Sequence, residues 1–284
     1  MKKSAITLSA SLILTLITQL LTATLIAAPA DDTGQVHCFN NSRKISCPGS
    51  GSLFHGQDAQ YSNATASFRD NGNGTVDDLT TGLMWSKSVD AKKVSLKEAK
   101  RVAREMNLGG YTDWRVPHIK ALYSLTDFRG YTGFPSNSSK SVIPANATPY
   151  INTDYFDFRY GNTTAGERFM DAQWLSSTQY VSTTMNGDET LFGVNFADGR
   201  IKGYGYSRPG RQRREKKFYA RYGRGNAYGT NHFVDNGNGT VSDHSSGLTR
   251  MQRDSGKTMN WQQALAYAEN LEYAGHDDWR LPNA

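Results

Sequence analysis

The sequence predicts a loop-rich α+β, or mostly β, protein, and three observations carry that prediction. The stretch Phe68 to Pro117 recurs as Phe233 to Pro282 at a constant offset of 165 residues, with nineteen of the fifty aligned pairs identical and no gap. Each copy opens on Asp-Asn-Gly-Asn-Gly-Thr-Val, at Asp70 and Asp235, whose glycines supply the positive φ of a tight hairpin turn. Charged residues make up only 20% of the 284, Gly numbers 27 and Tyr 15, and long helical patterns are few.

Met1-Lys2-Lys3 and the uncharged run Ser4 to Ala30 read as a secretory leader, with Ala28-Pro29-Ala30 as an A-x-A-like cleavage site. The rival reading is an uncleaved membrane anchor, weakened by Thr7, Ser9, Thr15, Thr18 and Gln19. In either case the body is exported, which places the protein in the periplasm, at the cell surface or outside. The only two cysteines, Cys38 and Cys47, then pair most simply as a disulfide, because two thiols without a nearby His/Asp cluster do not fill a zinc site. Residues 31–60 form a stapled lead-in that ends in Phe54-His55-Gly56-Gln57-Asp58-Ala59-Gln60 before Tyr61.

Within the repeat, Ser67-Phe68 and Thr75-Val76 flank the first turn, Thr80-Thr81-Gly82 makes a second, and Leu83-Met84-Trp85 is a third strand. Ser95 and Glu98 form a capping box for a helix whose inward face is Leu96, Ala99, Val102, Ala103 and Met106, stopped by Gly109-Gly110. The second copy keeps the logic with other letters. Asn260 and Gln263 cap, Trp261, Ala264, Leu265, Ala268 and Leu271 face inward, and Gly275 ends the helix. Pro117 opens a second helix over His118 to Leu125.

Asp127 to Asn152, rich in Gly, Ser, Asn and Pro, reads as surface loop. Core aromatics follow, among them Phe156, Phe169, Trp174 and Phe196, with hairpin turns at Asn186-Gly187 and Asp198-Gly199. The sequence stops two residues after the second Pro, so the second unit spans roughly a third of a repeat. The expectation is a fragment, or a last segment unable to form a complete domain alone.

The order FRDNGNGTV, DLTTGLMW, capped helix, GGYTDWRVP, WLSST at Trp174, VNFADGRIKGY at Val194 and YARYGRG at Tyr219 resembles the Lcl C-terminal domain family, a bacterial exported module named for a collagen-like adhesin. The resemblance implies a C-type lectin-like fold, distantly similar to formylglycine-generating enzymes, with two short helices per domain. It divides the chain into signal peptide 1–30, lead-in 31–60, a complete domain 61–226, and an incomplete second copy 227–284. That enzyme type needs a pair of reactive cysteines late in the domain, and the corresponding position here is Tyr222. No Ser/His/Asp order, zinc motif, phosphate loop or paired carboxylate stands out either, so no enzyme and no cofactor is expected.

The stretch 200–224 carries Arg200, Lys202, Arg208, Arg211, Arg213, Arg214, Lys216, Lys217, Arg221 and Arg224 against the single acid Glu215, a net of +9 in a chain whose total is +6. Interleaved with Tyr204, Tyr206, Phe218, Tyr219 and Tyr222, it suits a polyanion, and seven of the ten are Arg, whose planar fork grips sulfate with two parallel bonds. Export disfavours nucleic acid; the family resemblance implies a sulfated polysaccharide. The bland reading is a solvated basic loop. Two further clusters carry polar or repeated residues. Asp70, Asn71, Asn73 and Asp78 offer oxygen donors for calcium but depart from the EF-hand pattern, so a hairpin turn is the stronger reading and no metal is expected. Trp85 and the corner Asp113-Trp114-Arg115, repeated as Asp278-Trp279-Arg280, read as structural. The functional expectation is envelope binding or adhesion through an anionic glycan; the alternative is a structural envelope protein whose repeats mediate protein contacts.

Overall fold

The computed structural model describes residues 32–61, 65–89, 92–133, 142–185, 187–207 and 215–284; the leader, its cleavage site and Asn186 lie outside these. The described residues form a mixed α+β structure of mostly antiparallel sheets and three α-helices.

In the lead-in, β1 (Cys38–Phe39) pairs with β2 (Lys44–Ile45), and a Cys38–Cys47 disulfide closes the hairpin. Next come β3 (Phe68–Asp70), β4 (Thr75–Asp78) and β5 (Met84–Ser86), an antiparallel meander. The first turn forms because Gly72 and Gly74 take φ of 70° and 86°, while the Asp70 carboxylate accepts the Gly72 N–H and the Asn73 side chain accepts from Thr75. Ser95 then opens α1 (Leu96–Glu105). Its hydroxyl accepts the Glu98 N–H at 3.2 Å and the Glu98 carboxylate accepts the Ser95 N–H at 2.8 Å. After Pro117, His118 caps the short α2 (Ile119–Tyr123).

A second meander of β6 (Gln173–Thr184), β7 (Asp188–Asn195) and β8 (Arg200–Ser207) turns at Asp198-Gly199, both of whose N–H groups reach the Asn195 carbonyl. This sheet covers α1: Leu96, Ala99 and Ala103 are buried with Leu175, Leu191, Tyr204 and Phe218. The chain then returns as β9 (Gly223–Arg224) against β5, which completes a four-stranded sheet ordered β3-β4-β5-β9. Trp85, Leu122, Phe156, Trp174 and Phe196 fill the neighbouring core.

The second stretch reproduces the first locally. It has β10 (Phe233–Asp235), β11 (Thr240–Asp243), β12 (Leu248–Met251) and α3 (Trp261–Glu269), with the same glycine turn and the Asn260/Gln263 capping box. Even the tryptophan corners match. Trp114 Nε1 donates to the Leu108 and Tyr111 carbonyls, and Trp279 Nε1 to those of Tyr273 and His276.

Burial differs between them. Trp85 is fully buried, whereas the equivalent Arg250 is exposed. The inward face expected for α3 needs correction: Leu265 and Ala268 are buried, but Trp261 is 39% exposed and Ala264 and Leu271 are only half-buried. Among the described residues, no counterpart of the β6-β7-β8 sheet covers α3.

Candidate polyanion-binding site

The segment leading into β9 threads between the two sheets of the first stretch. Phe218 bridges to Val94 and Tyr219 to Trp174, and every residue from Phe218 to Gly223 is buried. Arg221 therefore points into the interior, where it is 1% exposed. Its guanidinium donates to the Ser86 carbonyl at 2.5 Å, the Lys87 carbonyl at 2.7 Å and the Asp157 carbonyl at 2.6 Å, and lies 4.8 Å from the Phe156 ring centre. Burial pushes its pKa down to about 9, with the Asp157 charge pulling the other way, so it stays cationic at neutral pH. The assignment of Arg221 to ligand contact is thus corrected: it is an interior strut. The signal lay in its neighbours, since Phe218-Tyr219-Ala220 and Tyr222-Gly223 form an otherwise uncharged run of the kind buried on both faces.

Arg224 is also engaged. Its Nε sits 2.6 Å from Asp113 Oδ1 and its guanidinium 3.7 Å over the Tyr111 ring, and the pairing holds the Asp113 carboxyl below the usual carboxylate range. Arg115 exchanges both backbone bonds with Gly223 and donates to the Asn226 carbonyl at 3.2 Å. The repeated corner is therefore a brace for the last strand. Lys202 is paired with Asp198.

Arg200 is exposed but stands at the start of β8, opposite Ser207 across a strand of roughly 23 Å. Lys217 lies 3.2 Å from Glu98, both half-exposed, and the Glu98 carboxyl is held low first by the Ser95 N–H and then by Lys217. The Lys216 ammonium lies 4.7 Å over the Tyr204 ring, and its backbone N–H reaches the Tyr206 carbonyl. Arg208, Arg211, Arg213 and Arg214 lie outside the described residues. The six described cations thus do not form one face. Lys216 and Lys217 flank the 208–214 segment, while Arg200, Lys202, Arg221 and Arg224 are held elsewhere.

The oxygen donors considered for calcium are occupied by their own turn. Asp70 takes Gly72 N–H and the Lys87 ammonium, which keeps its carboxyl low. Asn71 and Asn73 bond Thr75, and Asp78 accepts from Thr80 and Thr81. Among the described residues, no group of three or more His, Cys, Asp or Glu is placed to hold a metal ion.

Two clefts remain. One of about 230 Å³ lies between the lead-in and α2, lined by Thr33, Tyr61, Phe68, Ser124, Asp127 and Asn152. The other, about 280 Å³ and open, follows Gln179 to Thr183 on β6. Among the described residues, neither is lined by a residue of the basic stretch. No helix of the described residues is long and apolar enough to cross a membrane.

Short antiparallel sheets, a capped helix and a last strand that follows an interior arginine define an α+β module. The profile of the Lcl C-terminal domain matches residues 74–221 and 239–284, so the chain belongs to that family. Both matches begin at equivalent glycines, Gly74 and Gly239, one offset of 165 residues apart. No curated protein and no solved structure matches the chain.

Proposed function

We propose that this is an exported, non-enzymatic envelope protein that holds an anionic glycan on residues 208–217, the stretch between β8 and the buried segment that carries Arg221. The observation that carries the reading is the charge of that stretch: Arg208, Arg211, Arg213, Arg214, Lys216 and Lys217 against Glu215 alone. Arg221, Arg224 and Lys202 drop out of the ligand set because their charge is already spent inside the protein. The Lys217–Glu98 pair is exposed and screened by solvent, so a sulfate displaces Glu98 at little cost. Leader, C-type lectin-like architecture, tandem organisation and the domain limits 61–226 and 227–284 belong to the same proposal. The disulfide supports export.

The test is heparin chromatography of the full chain against a variant with Arg211, Arg213, Arg214 and Lys217 changed to Gln. The expected result is retention that falls with salt and is lost in the variant, while Lys202→Gln elutes with the parent. Equal retention of parent and quadruple variant would sink the reading. The alternative, a structural envelope protein, draws on the extensive packing between lead-in and second stretch described next.

A further inference from the structure

The lead-in is seated on α3. Along that helix, Trp261, Leu265 and Glu269 fall at i, i+4 and i+8 on one stripe. The offset of 165 residues maps them onto Leu96, Lys100 and Arg104 of α1, of which Lys100 and Arg104 are exposed. Leu265, by contrast, is 2% exposed. The second stretch thus has an apolar residue and an acid where the first has two cations, and the lead-in lies against that stripe.

The Phe54 ring is 5.7 Å from Trp261, His55 Nδ1 is 2.9 Å from Glu269 Oε2, and the Tyr61 hydroxyl donates to Glu269 Oε1. Gly56 approaches so closely that a Cβ there would fall 2.5 Å from Glu269 Oε1, and its φ of +91° excludes other residues as well. Arg280 lies 5.1 Å from the Tyr61 ring centre, and Asn283 donates to Asp58 at 2.6 Å.

This docking turn is one body with the disulfide loop. Gln57, 5% exposed, accepts the Phe39 N–H and donates to the Phe39 and Phe54 carbonyls, each at 2.8 Å. Gln60 donates to the Pro48 carbonyl, directly after Cys47, at 2.7 Å and accepts the Gly56 N–H at 3.1 Å. Cys38 is fully buried while Cys47 is exposed, so one sulfur is open to an attacking thiolate.

We propose that residues 37–61 are a clasp selective for α3 over α1, and that the Cys38–Cys47 disulfide is its lock. Opening needs a dithiol reductant. Its thiolate attacks the Cys47 sulfur and Cys38 leaves as a thiolate that takes up a proton. The second thiol of the reductant then displaces Cys47, so two electrons pass to the cysteines and the reductant leaves as a disulfide. With the loop no longer closed, Gln57 and Gln60 lose the frame that holds Phe54, His55 and Tyr61 on the helix.

The test is hydrogen–deuterium exchange of the full chain, oxidised and after dithiothreitol, beside the double variant Leu265→Lys/Glu269→Arg, which gives α3 the residues of α1. Reduction is expected to speed amide exchange across 261–269 by at least about tenfold and leave 96–105 unchanged. The double variant is expected to exchange fast at 261–269 in both redox states. Unchanged protection of α3 on reduction, equal loss in both helices, or full protection of α3 in the double variant would each overturn the proposal. Heparin retention does not enter this readout, so its outcome is separable from that of the glycan reading.

Discussion

The Arg221 guanidinium lies 5.0 Å from the centre of the Trp174 ring, so a residue of the most basic stretch in the chain is stacked in the core. A charge without water is held there by three backbone carbonyls and by ring faces. Arg221→Leu removes the donor from the Ser86, Lys87 and Asp157 carbonyls, of which that of Lys87 keeps the Asp157 N–H, and the loss outweighs the relief of desolvation. The expected destabilisation is roughly 3–5 kcal/mol in chemical denaturation. At temperatures where the variant remains folded, its heparin retention equals that of the parent; a folded variant with full stability would remove the strut role.

Gly109 and Ala274 are equivalent, with φ of 63° and 53°. Alanine in the left-handed region is strained by about 1 kcal/mol. Ala274→Gly is therefore expected to stabilise the protein by about 1 kcal/mol, read as a raised denaturation midpoint. Gly109→Ala is expected to cost more, since the added Cβ would also lie 2.8 Å from Thr75 Cγ2. Matched denaturation curves of the two variants give the comparison.

The caps provide a paired measurement. Ser95→Ala and Asn260→Ala each remove an acceptor for an N–H at the third helical position. Each is expected to cost about 0.5–2 kcal/mol. Local amide exchange rising in α1 for the first and in α3 for the second is the diagnostic result.

Asp243 shows a pH effect of definite sign. Burial alone would raise its pKa, but hydrogen bonds from Ser245, the His232 N–H and Ser246 outweigh this and hold the carboxyl far below the usual range. A depressed folded pKa means stability that is present above the unfolded carboxylate value, about 3.9, and is lost as pH falls toward the folded value. The parent is expected to lose thermal stability between pH 5 and pH 2 more steeply than Asp243→Asn, as differential scanning calorimetry would measure. Parallel slopes would contradict it.

Local order was legible wherever a short-range rule decides it. The Asn-Gly-Asn-Gly turns, the Ser95 and Asn260 caps, the Pro117 helix start and the Cys38–Cys47 bridge all follow from residues a few positions apart. What escaped depends on distant partners. Net charge along 200–224 does not reveal that Asp113 waits for Arg224 or that carbonyls from β5 and Asp157 receive Arg221. The apolar pattern of α3 marks a buried side but not its cover, so the exposed Trp261 and the seating of Phe54 against it were out of reach. The change from Lys100 to Leu265 was the available clue, visible only when the copies are compared position by position.

The bond between Tyr61 and Glu269 joins residues 208 positions apart, almost the whole length of the described chain. Contacts of such span close late, because everything between must first be made and gathered. Until α3 has formed, the seat for Phe54 and Tyr61 does not exist. Docking of the lead-in is therefore timed by that helix rather than by the first strands.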